Sequence, residues 1–339
     1  MASFLCDLIS NCRSLSIIGM CKNAGKTTVL NHIIQNFADD GQILALTSIG
    51  RDGEAIDTIT GTAKPGIYVY AGTIIATAAE LLEECDITRE ILLTTGISTP
   101  LGEVVVLRAI SDGYVQLAGP SMVSQLGQLT QMFSRYGTNR ILIDGAVSRK
   151  TLCSRSLTEG TILCTGASCG SGMEAVIDKT LHVCEILSLP VTENTSLRQF
   201  IKTKKNNTAK ALFCGGRNID LPQEMSIEEG LRTYSQNNTT EIFIDGALSD
   251  HLLQQLLLSG AGLSGIKLIV HDASKILVSS ANYRKLRLKG CGIRVLDDVN
   301  LLAVTINPFS VYGNDFEKNR FRECLADQLD VPVLNVEDM

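Results

Sequence analysis

The segment from Leu15 to Ile34, LSIIGMCKNAGKTTVLNHII, constrains the fold of this chain more than any other segment. It begins with a short apolar run and continues through a loop that ends in Gly-Lys-Thr. Apolar residues then recur at helical spacing as far as Phe37, and Gly41 follows as a candidate helix end. The segment therefore predicts a strand, a turn and an amphipathic helix, which together form the repeating unit of a parallel α/β sheet.

The rest of the chain repeats this alternation of short apolar runs and longer helical patterns. Continuous apolar strands separated by helices are typical of a parallel sheet that is buried on both faces. The predicted strands are Leu15–Ile18, Ile43–Thr47, Ile67–Tyr70, Ile141–Ile143, Ile162–Cys164, Ala211–Phe213, Ile242–Ile244, Lys267–Val270, Arg294–Leu296 and Ala303–Ile306. The segment from Gly102 to Gly119 departs from the pattern. Its Asp112-Gly113 turn signal predicts an antiparallel hairpin inserted beside the parallel sheet.

Length and an internal similarity suggest two domains. A chain of 339 residues is long enough for about two domains. The stretches ILIDGAVS (141–148) and IFIDGALS (242–249) share six of eight residues, either by chance or because the chain contains two related α/β halves. The polar tract KTKKNN (202–207) lies between them. We therefore predict a domain at 1–200, which carries the Gly-Lys-Thr loop, and a second α/β domain at 208–339.

Composition argues against several classes of protein. The net charge of −6, the 5% aromatic content and the lack of Trp do not favour a nucleic-acid partner. No apolar run approaches the ~18 residues of a membrane span, and the first residues, MASFLCDLISNC, lack the basic region of a secretion signal. The eleven cysteines are scattered, without a C-x-x-C pair. These features predict a cytoplasmic protein with reduced thiols and no membrane partner.

The Gly-Lys-Thr loop has the residue types that bind a nucleoside triphosphate. A glycine-rich turn that opens a helix presents backbone N–H groups and the positive end of the helix dipole. In such a loop Lys26 contacts the β- and γ-phosphates, and the Thr27 hydroxyl ligates Mg²⁺. Gly19 and Gly25 enclose five residues where the strict motif has four. A plain strand–loop–helix turn is the alternative, but the flanking strand and helix and the second threonine, Thr28, favour a phosphate loop.

A nucleotide hydrolase also needs an acidic residue that holds Mg²⁺ and positions water. Asp144 directly follows the apolar run 141–143, which makes it the first candidate for a catalytic and metal-binding residue. Asp245 ends the similar run 242–244, but that half of the chain has no Gly-Lys-Thr loop of its own. We therefore expect Asp245 to be structural.

The loop sequence resembles that of the molybdopterin-guanine-dinucleotide accessory proteins in the residues Lys22-Asn23-Ala24-Gly25-Lys26-Thr27-Thr28. These belong to the group of P-loop NTPases that also contains metal-insertion chaperones and dethiobiotin synthase. The resemblance implies that residues 22–28 contact the nucleotide and that Lys22 faces the same phosphate chain as Lys26. Members with a signature lysine carry it five residues before the invariant lysine, where this chain has Cys21, predicted to be a small space-filling residue. A homodimer is still possible, but the resemblance does not imply that Lys22 contacts the nucleotide of a partner subunit.

The same resemblance implies a switch segment after the second strand, in LTSIGRDGE (46–54). Switch segments of this group carry an aspartate, which makes Asp52 the second candidate for catalysis and Mg²⁺ binding. Arg51 beside it is a candidate phosphate contact. The alternative is that Asp52 is an ordinary turn residue in Arg-Asp-Gly.

Three longer stretches narrow the resemblance to one family. With the loop, the segments 46–78, 91–109 (ILLTTGISTPLGEVVVLRA) and 304–336 resemble the nucleotide-binding subunit of the lysine 5,6-aminomutase reactivase, along most of the chain from Ser16 to Val336. The resemblance implies a reactivating chaperone that uses ATP and Mg²⁺ to exchange damaged cobalamin in an adenosylcobalamin-dependent aminomutase. It also implies a second reactivase subunit as partner. The chain has no D-x-H-x-x-G cobalamin motif of its own, which is consistent with action on a holoenzyme.

Three other functions remain open. One is a dethiobiotin-synthase-like enzyme that activates a small carboxylate with ATP, and another is a GTPase of the molybdopterin accessory kind. The chain lacks the N-K-x-D segment that usually reads guanine, which favours ATP over GTP. The third is a nucleotide-binding regulator without turnover.

Overall fold

The computed structural model describes residues 4–49, 66–146, 153–155, 157–203, 210–214, 217–221, 225–234, 239–258 and 263–338. The chain divides into two compact units, Met1–Leu181 with Asn300–Met339, and His182–Val299. This division differs from the predicted domains 1–200 and 208–339, because the segment from Asn300 onward belongs to the first unit. Among the described residues, no helix is both long and apolar enough to cross a membrane.

The first unit alternates strands and helices. Its helices are α1 (Phe4–Ile9), α2 (Lys26–Asp39), α3 (Val123–Phe133), α4 (Met173–Leu187), within which the division between the units falls, and α9 (Lys318–Ala326). Its strands are β1 (Ser14–Gly19), β2 (Leu44–Ser48), β3 (Ile67–Val69), β4 (Ile74–Ala78), β5 (Arg89–Thr99), β6 (Gly102–Ala109), β7 (Gly113–Val115), β8 (Arg140–Ala146), β9 (Gly160–Gly166), β17 (Leu301–Asn307) and β18 (Val333–Asn335).

Nine of these strands form one sheet in the order β18-β17-β9-β1-β8-β2-β4-β6-β5. All neighbours from β18 to β4 are parallel, whereas β6 runs antiparallel to both β4 and β5. The predicted α/β class with a mostly parallel sheet is therefore confirmed. The last two strands, β17 and β18, extend this sheet, which explains why the C-terminal segment returns to the first unit.

The antiparallel part of the sheet lies one turn earlier in the chain than predicted. The hairpin joins β5 and β6 at Pro100-Leu101, where Thr99 Oγ1 donates to the Gly102 carbonyl and Gly102 has φ 87°. The predicted hairpin around Asp112-Gly113 is wrong, because β7 leaves β6 and pairs with β3 in a separate two-stranded sheet. The Asp112 carboxylate instead accepts a hydrogen bond from the backbone N–H of Ala71.

Helix α2 follows the predicted pattern. Its apolar stripe is buried, and Gly41 lies just past its end with φ 69°, donating its N–H to the Ala38 carbonyl. The buried stripe consists of Val29, Leu30, Ile33, Ile34 and Phe37. Packing of this face on the sheet fixes the first residue of the helix, Lys26, beside the carboxyl end of β1.

The second unit is a smaller α/β unit with a mixed sheet. Its helices are α5 (Thr195–Thr203), α6 (Ile227–Tyr234), α7 (Asp250–Leu258) and α8 (Ser280–Leu288). Its strands are β10 (Lys210–Cys214), β11 (Arg217–Asp220), β12 (Thr239–Ile244), β13 (Leu248–Ser249), β14 (Lys267–Val270), β15 (Ile276–Leu277) and β16 (Gly292–Val295). The main sheet has the order β11-β10-β12-β14-β16, in which only β12, β14 and β16 are parallel.

Every strand predicted from the sequence overlaps an observed strand. Two of them are nevertheless not parallel strands: β3 pairs antiparallel with β7, and β10 pairs antiparallel with both of its neighbours. Apolar composition therefore located the strands but did not fix their direction.

Candidate functional site

The loop after β1 lies at the point in the large sheet where successive strands of the chain are added on opposite sides. From β1 the chain continues to β2 on one side, and from β9 the next strand of this sheet is β17 on the other side. Because β1 and β9 are parallel neighbours, their following loops lie side by side at the carboxyl edge. Crevices at such switch points are where open α/β sheets bind ligands.

The backbone of the loop is held in a tight turn. Asn23 and Gly25 both have left-handed φ values, 62° and 87°, and the N–H of Met20 donates to the Cys164 carbonyl at 2.9 Å. A side chain on Gly25 would also lack space, because a Cβ would lie 3.0 Å from Val336 Cγ1. Gly25 is the residue that precedes α2, and it offers no side chain to cap the helix. The N–H groups of the first helical turn therefore have no capping side chain at this position, as an anion site requires.

Lys26 and Asp144 form the charged centre of the site. Asp144 lies on β8, the parallel neighbour of β1, so its side chain reaches the same edge of the sheet as the loop. Lys26 Nζ lies 2.9 Å from Asp144 Oδ1 and donates to the Gly145 carbonyl at 3.1 Å. The two side chains are only 18% and 12% exposed, so this ion pair is largely shielded from water. Two residues predicted independently, one for phosphate and one for Mg²⁺, are thus in direct contact.

The other predicted loop residues surround this pair. Thr27 is half-buried in the first turn of α2, Ala24 is buried in the loop, and Lys22 and Thr28 are exposed. The predicted switch residues Arg51 and Asp52 lie outside the described residues.

Two residues beside the loop were not predicted as part of the site. The side-chain amide of Asn307, at the end of β17, donates to the Asn23 carbonyl at 2.8 Å. Val336, just after β18, packs against Gly25, as the space around that glycine shows. Asn307 follows an apolar run directly, and the carboxyl ends of parallel strands share one edge, so this position in the sequence was the available signal.

The structure corrects the expectation that all thiols are reduced. Cys21, in the loop, is disulfide-bonded to Cys169 in the loop after β9, with 5.3 Å between their Cα atoms. Cys21 is therefore not a space-filling residue. The nine other cysteines are not disulfide-bonded. The partner was not foreseen because 148 residues separate the two cysteines.

Asp245 occupies a different environment from Asp144, although the two follow similar sequences. Asp245 follows β12 in the second unit, and its Oδ1 lies 2.6 Å from Nε2 of His271, which follows β14. The His271 ring also packs edge-on against Phe243. Asp245 thus has a histidine partner where Asp144 has a loop lysine.

The donor set of the first unit fits a magnesium-bound nucleotide. The Thr27 hydroxyl and the Asp144 carboxylate are hard oxygen ligands of the kind that Mg²⁺ prefers. Lys26 and the N-terminal end of α2 supply positive charge for phosphate. Comparisons with models of protein families, with curated protein sequences and with solved structures find no match to this chain.

Proposed function

We propose that the chain binds a Mg²⁺–nucleoside triphosphate at the loop 20–28 and hydrolyses it, with ATP preferred over GTP. The observation that carries this proposal is the contact between Lys26 and Asp144 at the carboxyl edge of adjacent parallel strands. Lys26 and the amides at the start of α2 hold the phosphates, and the Thr27 hydroxyl ligates Mg²⁺. Asp144 holds Mg²⁺, directly or through water, and Asp52 is a second candidate for that role.

The ion pair supports this proposal through its charge balance. Two opposite charges in a poorly hydrated place are stable only while each has a counter-charge. A bound magnesium nucleotide supplies both: phosphate for Lys26 and Mg²⁺ for Asp144. The two side chains can therefore separate on binding without leaving either charge uncompensated.

The biological role that we propose is reactivation of an adenosylcobalamin-dependent aminomutase, together with a second reactivase subunit. This part rests on the resemblance of the segments 46–78, 91–109 and 304–336 to the lysine 5,6-aminomutase reactivase. The chaperone must then have two conformations that bind the aminomutase with different affinities, and the nucleotide must bind one of them more tightly. A ligand shifts such an equilibrium only by the difference between its affinities for the two conformations. Exchange of damaged cobalamin for intact cofactor would follow from that change.

Nucleotide titration of Lys26→Ala tests the binding site. Loss of one charge-assisted contact of about 1.5–3 kcal/mol should weaken Mg²⁺–ATP binding about 10- to 100-fold. Lys289→Ala, which removes an exposed lysine of the second unit, is the matched control and should bind like the wild type. Equal affinities for the wild type and Lys26→Ala would refute the assignment of the loop.

A recovery assay tests the reactivase role. Aminomutase inactivated by turnover is mixed with this protein, the second subunit, ATP, Mg²⁺ and fresh adenosylcobalamin. Activity should return only with hydrolysable nucleotide, and not with Lys26→Ala. Equal recovery with free cofactor alone would contradict this role, and nucleotide turnover with a small carboxylic acid and no partner would favour the synthase-like alternative.

A further inference from the structure

The disulfide joins the phosphate-binding loop to the neighbouring loop at the switch point. Cys21 lies between Gly19 and Gly25, and Cys169 follows β9, which is hydrogen-bonded to β1. Disulfide formation therefore cross-links two loops that parallel strands already bring side by side. No other cysteine pair among the described residues is bonded.

The disulfide is one of several contacts that restrain the same loop. The Asn23 carbonyl accepts a hydrogen bond from Asn307, the Met20 N–H donates to the Cys164 carbonyl, and Gly25 lies against Val336. Two of these contacts are single hydrogen bonds, which are individually weak compared with a covalent bond. A covalent link at Cys21 is the strongest restraint on the loop, and it is the one that thiol chemistry can remove.

We propose that Cys21 and Cys169 are a reversible oxidation site that controls nucleotide affinity, with the disulfide form binding more tightly. This rests on the nucleotide site proposed above. A loop that is already held in one conformation loses less freedom when it closes on phosphate, so binding costs less. Reduction releases Cys21, so the reduced loop must lose conformational entropy when it binds phosphate, and the affinity is lower.

The chemistry is a thiol–disulfide exchange with a low-molecular-weight disulfide such as oxidised glutathione. Cys21 is partly exposed and Cys169 is buried, so Cys21 is the cysteine that reacts with the external reagent. The Cys21 thiolate attacks the reagent, which leaves a mixed disulfide on Cys21 and releases one glutathione thiol. The Cys169 thiolate then displaces the second glutathione thiol. One reagent disulfide is reduced to two thiols while two protein thiols become one disulfide.

Burial makes several of the remaining cysteines unreactive towards an external disulfide. Burial raises the pKa of the Cys164, Cys184 and Cys291 thiols to about 12, which keeps them protonated and unreactive. Apart from Cys21, only Cys85 and Cys324 are partly exposed among the cysteines that the structure describes. Neither of these two is disulfide-bonded, so the intramolecular disulfide that forms under mild oxidation should be the one between Cys21 and Cys169.

Mass mapping of the intact protein in glutathione redox buffers tests the oxidation site itself. Alkylation and digestion should yield a peptide linked through Cys21 and Cys169 that disappears in reducing buffer. Cys324→Ser is the control and should leave the linked peptide unchanged. Failure to find this peptide in oxidised wild type would overturn the proposal, whether or not the protein binds nucleotide.

Nucleotide titrations in the two redox states test the control of affinity. Oxidised wild type should bind Mg²⁺–ATP about 3- to 10-fold more tightly than the reduced form. In reducing buffer Cys169→Ser should bind like the reduced wild type, and in oxidising buffer it should gain no affinity, because glutathione on Cys21 can no longer be displaced to form the disulfide. Cys324→Ser should respond like the wild type. By linkage, saturating Mg²⁺–ATP should raise the ratio of disulfide to dithiol by the same factor.

Two results of these titrations would count against different claims. Equal affinity in the two redox states, or weaker binding by the oxidised form, overturns the control of affinity. Absence of nucleotide binding in both states overturns the proposed function, while the linked peptide still establishes the oxidation site.

Discussion

At the scale of single residues, Lys26 and Asp144 depend on each other. Both side chains are mostly withdrawn from water, and they are 2.9 Å apart. Removing one member of a shielded pair leaves the other charge without compensation, which is why such changes are strongly destabilising. A test of Asp144 therefore needs a substitution that keeps its shape and hydrogen-bonding capacity.

Asp144→Asn meets this requirement. The amide keeps the size of the side chain and an oxygen that can accept a hydrogen bond from Lys26 Nζ. It loses the negative charge that the proposed Mg²⁺ site requires, so we expect nucleotide hydrolysis to be abolished and the free energy of unfolding to fall without loss of the fold. Hydrolysis is measured by phosphate release, and folding by circular dichroism.

Asp245→Asn is the matched control, because it makes the same change after the similar sequence of β12. It should leave hydrolysis nearly intact, since Asp245 contacts His271 in the second unit and is not one of the residues of the proposed nucleotide site. If Asp245→Asn abolished hydrolysis and Asp144→Asn did not, Asp245 and not Asp144 would be the catalytic aspartate.

The residues of the site differ in how far sequence could predict them. Lys26, Thr27 and Asp144 follow from local patterns, because each lies directly after an apolar run or at the start of a helix. Asn307 and Cys169 touch the loop only because strands distant in sequence are neighbours in the sheet. No local pattern carries that information. The assignment of Asp52 stays a prediction.

At the scale of elements, helix α3 anchors the antiparallel edge of the large sheet. Leu129 and Phe133 of this helix are completely buried in a cluster with residues of four strands. The strand residues of the cluster are Ala45, Ile74, Ala76, Ile97, Val104 and Val106. These strands lie on the side of the sheet that includes the antiparallel pair β5 and β6, so α3 covers the part with the least parallel pairing.

Phe133→Ala should therefore weaken the first unit substantially. Replacement of a fully buried phenylalanine by alanine leaves a cavity and costs about 3–5 kcal/mol of unfolding free energy. Urea denaturation followed by circular dichroism measures the change. Met122→Ala, at the exposed residue that precedes the same helix, should change it by less than about 0.5 kcal/mol. Similar losses for both variants would contradict this anchoring role.

Strand location was predictable from apolar runs, but pairing was not. A parallel and an antiparallel strand that are both buried have the same composition, as β10 shows. The turn between β6 and β7 carries the expected Asp-Gly sequence, yet the two strands do not pair with each other. Strand β6 pairs with β4 and β5, and β7 pairs with β3. Turn signals fix where the chain bends, and the partners of the two flanking strands depend on the rest of the sheet.

At the scale of the whole molecule, the second unit is a continuous segment between two parts of the first. It contains its own five-stranded sheet and a core cluster of Leu197, Ala211, Phe243, Ile269 and Leu296. Leu197 lies on α5, before the polar tract at 202–207, and Val191 forms a bridge to Val295. From the sequence, the domain boundary was predicted at the polar tract 202–207. That tract is internal to the second unit.

Two fragments distinguish the observed division from the predicted one. Fragment 182–299 keeps the sheet, α5 and the bridge at Val191, and should unfold cooperatively in urea. Fragment 208–339 lacks α5 and carries β17 without its partner β9, so it should show no cooperative transition. Cooperative unfolding of 208–339 alone would restore the predicted boundary.

The hydrogen bond between Asn23 and Asn307 joins residues that are 284 positions apart. Ribosomes add ~5–20 residues per second, so about 15 to 60 s of synthesis separate these two residues. Throughout this interval the growing chain has residues 20–28 of the proposed nucleotide site but lacks Asn307 and Val336, which contact that loop. We expect newly made protein to become responsive to nucleotide only after β17 and β18 have been synthesised and have joined the sheet.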